Sequence, residues 1–81
     1  MSAVFKAACV QVNAQREIED NVARAIELIR EARSAGADLI TMPENVAMMG
    51  HRSRDIRGLA MPEAEHVALA AFRDAARDTG A

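Results

Sequence analysis

Glu44 is the residue best placed by its neighbours to do chemistry. It follows Pro43 directly, at the end of the short apolar run Leu39-Ile40-Thr41-Met42. A carboxylate fixed there by a proline and enclosed by apolar neighbours loses solvation. That loss disfavours its charged form and makes it a better base near neutrality. The same position also suits a glutamate that caps a helix or faces water. Cys9 and Lys6 are the single cysteine and the single lysine of the chain. In principle they offer a thiol nucleophile and a cation for developing negative charge. Cys9, however, lies in the middle of the first apolar run, where a buried thiol is inert. Lys6 begins that run. If the two runs are parallel strands, Lys6 stands at the opposite end from Glu44, roughly 15–20 Å away at about 3.3 Å per residue. Neither residue is expected to serve catalysis.

Glu63 and His66 make an E-x-x-H pair on one helix face, a spacing used by di-iron bundles. Such sites need a second copy of the pair and further carboxylates, and the sequence has none. The pair therefore reads as a solvated helix start. Arg52, Arg54 and Arg57 cluster after Glu44 and could meet a substrate carboxylate through charge-assisted hydrogen bonds; a plain solvated loop explains them better. Met48 and Met49 suit either packing or a pocket wall. Asn45 is expected to orient the chain beside Glu44.

Three elements must position these groups. Residues 4–12 are apolar on both faces apart from Lys6 and Gln11, as in a buried strand of a parallel sheet. From about residue 17 to 35 the period changes, with Ile18, Val22, Ala25, Ile26, Ile29 and Ala32 drawing one stripe on a helix. Glu17, Glu19 and Asp20 sit in its first turn, where the helix dipole favours negative charge. Asp20 with Arg24, and Glu27 with Arg30, are expected to pair on its wet face. Gly36 can take the left-handed conformation that ends a helix. Residues 39–42 form a second strand cut off by Pro43. Strand, helix and strand at this spacing predict a right-handed βαβ unit with parallel strands. Glu44 then lies at the carboxyl edge, where ligands gather in open α/β sheets. Residues 45–61 read as a long loop, mobile by composition at residues 51–55. Pro62 suits the start of a second helix reaching about residue 79, with Val67, Ala68, Ala71, Phe72 and Ala75 inward and Gly80 closing it.

Composition fits one small soluble unit: 51% apolar residues against 27% charged excludes a disordered tail. A net charge of −2 argues against nucleic acid as a partner. No run approaches the roughly 20 apolar residues of a membrane span, and the start lacks the pattern of a signal peptide. One cysteine cannot form an internal disulfide, so a reducing cytoplasm is expected.

The stretch Gly36-Ala37-Asp38-Leu39-Ile40-Thr41-Met42-Pro43-Glu44-Asn45 resembles the first signature of the nitrilase superfamily, the carbon–nitrogen hydrolases. In that family a Gly-Ala-Asp turn leads into a strand ending in Pro-Glu, and the glutamate is catalytic. Ala8-Cys9-Val10-Gln11-Val12 is similar to the family's first strand. Asn21 with Ala25 and Ile29 resembles its first helix, and Ala75-Ala76-Arg77-Asp78-Thr79-Gly80 the end of its second. The resemblance covers nearly the whole chain in order, as the opening part of a typical member. It implies an α/β fold, the amino-terminal βαβα portion of a four-layer α-β-β-α sandwich, incomplete after the second helix. It implies hydrolysis of non-peptide C–N bonds in small amides, or less readily nitriles, by a Glu-Lys-Cys triad with Glu44 as base. The lysine and the nucleophilic cysteine come later in the family's chains, past residue 81. Residues 43–50 are closer to the amidase branch than to true nitrilases.

The expectation is thus a hydrolase segment with one catalytic residue, Glu44, no cofactor and no metal, inactive alone. Its substrate would be a small-molecule amide, and it would form homo-oligomers. The rival reading is a small non-catalytic α/β module, for binding or assembly, with Glu44 structural.

Overall fold

In a computed structural model, residues 4–50 and 52–81 are described. The order is β1 (Ala7–Cys9), α1 (Ile18–Ser34), β2 (Leu39–Thr41), α2 (Ser53–Leu59), a 3-10 turn (Glu63–Glu65) and α3 (Val67–Thr79). The two strands pair in parallel, Ala7 opposite Leu39 and Cys9 opposite Thr41. The mixed α/β class and the predicted strand–helix–strand order are therefore found. The paired strands are three residues each, shorter than the apolar runs that announce them.

Helix α1 forms where the apolar stripe predicts it. Ile18, Ala25 and Ile29 are buried along one face, together with Asn21. Glu19 and Asp20 lie in its first turn, stabilised there by the dipole. On the wet face Arg24 pairs with Glu27 at 3.0 Å, a neighbour three residues on and not the Asp20 expected. The helix ends as the backbone turns through Gly36 at φ 99°, a conformation that a side chain would strain. Gly80, at φ 75°, ends α3 the same way, and its N–H bonds the Ala76 carbonyl at 2.9 Å.

α1 packs on α3 through small residues. Ala25 has no exposed surface, and Ala68 and Ala75 are almost as deeply buried. Arg33 locks the end of this seam. Its Nε donates to the Thr79 carbonyl at 2.9 Å, and its Nη1 to the Ala37 carbonyl at 2.8 Å. The same Nη1 meets Asp38 Oδ1 at 3.1 Å, and Asp38 Oδ2 accepts the Lys6 N–H at 3.1 Å. That backbone bond, and then the Arg33 guanidinium, hold the Asp38 carboxyl below its ordinary range.

Three details differ from expectation. Ser53–Leu59 is a seven-residue helix and not part of a loop; His51 lies outside the described residues. Pro62 introduces a 3-10 turn, and α3 starts only at Val67. Val67, expected inward, is 49% exposed, at the rim of an open hollow that it lines with Ile18 and Glu19 of α1.

The sheet is covered on one side only. Ala8 and Ile40 are half-buried, while Ala7, Cys9, Leu39 and Thr41 are exposed on the other side, as the two-residue alternation of a strand requires. Total accessible surface is 5997 Å² for 8.7 kDa, against about 4700 Å² for a compact monomer of that mass. Among the described residues no helix is long and apolar enough to cross a membrane.

Candidate active site

Parallel pairing sends both strand carboxyl ends to one edge of the sheet. Val10 N–H donates to the Thr41 carbonyl at 2.8 Å and closes the ladder there. Met42 and Pro43 carry the chain off the edge, and Glu44 and Asn45 form a turn. Glu44 therefore stands where the sequence places it, just past the end of β2.

Its surroundings differ from expectation. Glu44 is exposed. The apolar enclosure expected around it is absent, because no second layer covers the sheet edge among the described residues. Glu44 takes part in no hydrogen bond or ion pair among those residues. What lies beside it is an open cleft of about 450 Å³, lined by Glu44 to Met48 from the turn and by His66, Ala68, Leu69 and Phe72 from α3. A larger hollow of about 620 Å³ lies between Arg16–Glu19 and Gly58–Met61. It holds neither Glu44 nor a nucleophile. Position at the strand edge, not size, selects the smaller cleft.

The segment after Glu44 is tied down from α1. The Asn21 amide donates through Nδ2 to the Ala47 carbonyl at 2.8 Å and to the Gln15 carbonyl at 2.7 Å, while its Oδ1 accepts the Gln15 N–H at 2.8 Å. Met49 N–H donates to the same Gln15 carbonyl at 2.8 Å. Gln15 joins β1 to α1, so one buried amide links three segments.

A family model described as carbon-nitrogen hydrolase matches residues 6–81. The chain belongs to the carbon–nitrogen hydrolase family. At family level its chemistry is hydrolysis of C–N bonds. Comparison with curated proteins and with solved structures gave no match. The matched stretch contains both strands, α1, the Glu44 cleft and α3.

Of the other candidate groups of this carbon–nitrogen hydrolase chain, Asn45, Met48 and His66 line the cleft with Glu44, and Lys6, Cys9, Glu63 and the three arginines do not. Lys6 precedes β1, at the sheet's amino edge, and its Nζ lies beside Gly36, 3.4 Å from where a Cβ would stand. Cys9 ends β1 opposite Thr41 and is exposed. It was expected to be buried, but its side chain lies on the uncovered sheet face. Glu63 pairs with Arg73 at 3.0 Å. His66 Nδ1 accepts the Leu69 N–H at 3.3 Å and caps α3. Neither of the latter two faces a metal-ligand partner, and no cluster of three or more His, Cys, Asp or Glu that could hold a metal occurs among the described residues. Arg52, Arg54 and Arg57 are exposed and do not line the cleft. Met48 does line it, while Met49 is 46% exposed away from it.

The roles of two residues, His66 in the cleft lining and Asn21 bonded to the Ala47 carbonyl, escaped the sequence reading. His66 was visible only as half of a metal-like spacing, and its capping bond depends on where α3 starts. Asn21 was legible as part of a helix pattern. Its bonds span 6 and 26 residues, and no local pattern announces them.

Proposed function

We propose that Glu44 is the general base of an amide hydrolase and that residues 6–81 are the opening part of its domain. One observation carries the reading: within the family-matched stretch, Glu44 stands at the carboxyl edge of β2, bonded to none of the described residues and lining a cleft. A structural glutamate would be expected to hold a partner, and this favours the catalytic reading over a non-catalytic module.

In the proposed reaction Glu44 takes the proton of a cysteine thiol, and the thiolate attacks the amide carbon. A lysine stabilises the oxyanion of the tetrahedral intermediate. The intermediate collapses to a thioester as Glu44 returns that proton to the nitrogen, which departs as ammonia or an amine. Glu44 then activates water, which attacks the thioester and releases the acid and the thiol. Lys6 lies at the wrong sheet edge for this work. Cys9 ends β1, and no base or cation among the described residues is bonded to its thiol. Both missing partners are therefore supplied from outside these 81 residues, and the chain alone is inactive. The stretch Pro43 to Gly50 supports the amidase branch and a small amide as substrate, and the single cysteine fits a reducing cytoplasm. The uncovered apolar sheet face supports self-association.

The test is ammonia release from short aliphatic amides by the purified chain. No release above background is expected. Release that Glu44→Gln abolishes would keep the base and overturn the need for outside partners. Release that Glu44→Gln leaves intact would overturn the base itself.

A further inference from the structure

We propose that Asn21 is a positioning residue for Glu44, its buried amide fixing the far end of the turn that carries the carboxylate. The proposal rests on Glu44 being the base.

The turn spans two anchors. The near anchor is the Thr41 carbonyl, held by Val10 N–H at 2.8 Å. The far anchor is the Ala47 carbonyl, held by Asn21 Nδ2 at 2.8 Å. Between them Pro43 restricts one backbone angle, and Glu44 follows immediately. Chain held at both ends over so few residues has little freedom left to lose when substrate binds.

Asn21 is built for this task more than for packing. It is the one buried polar residue among the described residues, 6% exposed. Both its N–H groups donate and its oxygen accepts, so three of the four bonds an asparagine side chain can make are in place. Reversing the amide would set its N–H groups against the Gln15 N–H, so the orientation is fixed by the partners. It sits in the first turn of α1, whose next turns carry Ala25 and Ile29 into the seam with α3. The rigid part of the molecule thus reaches the Glu44 turn through one side chain. The Gln15 carbonyl extends the latch, receiving Asn21 and Met49 together.

A residue that merely stabilised the fold would, when replaced, loosen the whole chain together. A latch loosens what it holds. Amide hydrogen exchange on the 81-residue chain separates the two. In Asn21→Ala, and in Asn21→Asp, which keeps the acceptor for Gln15 N–H and the side chain's shape, both donated bonds are weakened or lost. Protection of Met49, whose N–H donates to the Gln15 carbonyl, is expected to fall about tenfold, as loss of a buried hydrogen bond allows. Amides around Ala25 in α1 and Ala75 in α3 are expected to change by no more than about twofold. If Asn21→Ala unfolds the chain, Asn21→Asp decides. Uniform loss in both variants, or unchanged protection at Met49, overturns the proposal. Exchange is read without substrate, so failure of the latch is distinct from failure of the base, which shows only as amide hydrolysis surviving Glu44→Gln.

Discussion

The seam between α1 and α3 and the strand pair β1–β2 are built from similarly apolar sequence but reach opposite ends. At the seam, Ala25, Ala68 and Ala75 lose nearly all their exposure, and Arg33 closes the end with bonds to Thr79, Ala37 and Asp38. At the strands, Leu39 stays 51% exposed, and Phe5, just before β1, 66%. A helix satisfies its own backbone and needs a partner on one stripe only. A strand needs partners beside it and on both faces. The seam therefore finishes itself within this chain, and the sheet does not.

That contrast makes the seam the seat of stability. Ile29→Ala, on the buried face of α1, is expected to cost about 2–4 kcal/mol, transfer and cavity together. For a chain of this length, with a total stability of about 4–12 kcal/mol, that is a large fraction of what holds the fold. Thermal unfolding followed by circular dichroism checks it, and an unchanged melt would mean that the seam does not hold the fold.

The open sheet face should respond differently. Leu39→Lys removes an exposed apolar side chain and is expected to shift stability by only about 0.5 kcal/mol. It should nevertheless reduce self-association, measured as the concentration dependence of mass by light scattering. A dimer that survives the substitution unchanged would place the contact elsewhere.

The smallest effect belongs to the turn between the two regions. Asp38 has its folded pKa lowered by the Lys6 N–H and Arg33. Its contribution to stability is present above the ordinary carboxylate range and is lost as pH falls through that range toward the lowered folded value. Asp38→Asn should lower the neutral plateau slightly and flatten the acid limb of a stability–pH curve, the two proteins converging at low pH. An acid limb identical in the variant would remove Asp38 from that account.

The same contrast decides what could be read from residues alone. The helix α1 was legible because Ile18, Ala25 and Ile29 repeat at helical spacing and Gly36 stops them. The path Leu39-Ile40-Thr41-Met42-Pro43 placed Glu44 at the strand edge for the same local reason. Exposure was not legible. Cys9 and Glu44 were expected to be buried because their neighbours in sequence are apolar, yet burial depends on what covers the sheet. Ser53–Leu59 read as a loop because seven residues are too few to draw an apolar stripe. Asn21 illustrates the general limit, since its partners at Gln15 and Ala47 meet only after the βαβ unit closes.

The central claim is that Glu44 supplies the base. It is tested most directly by replacing the matching opening segment of an active carbon–nitrogen hydrolase with residues 6–81 of this chain. Ammonia release from a short amide is then measured with and without Glu44→Gln. The account predicts turnover that falls by about a thousandfold in the variant, within the range for loss of general-base catalysis. Equal rates from the two would contradict it.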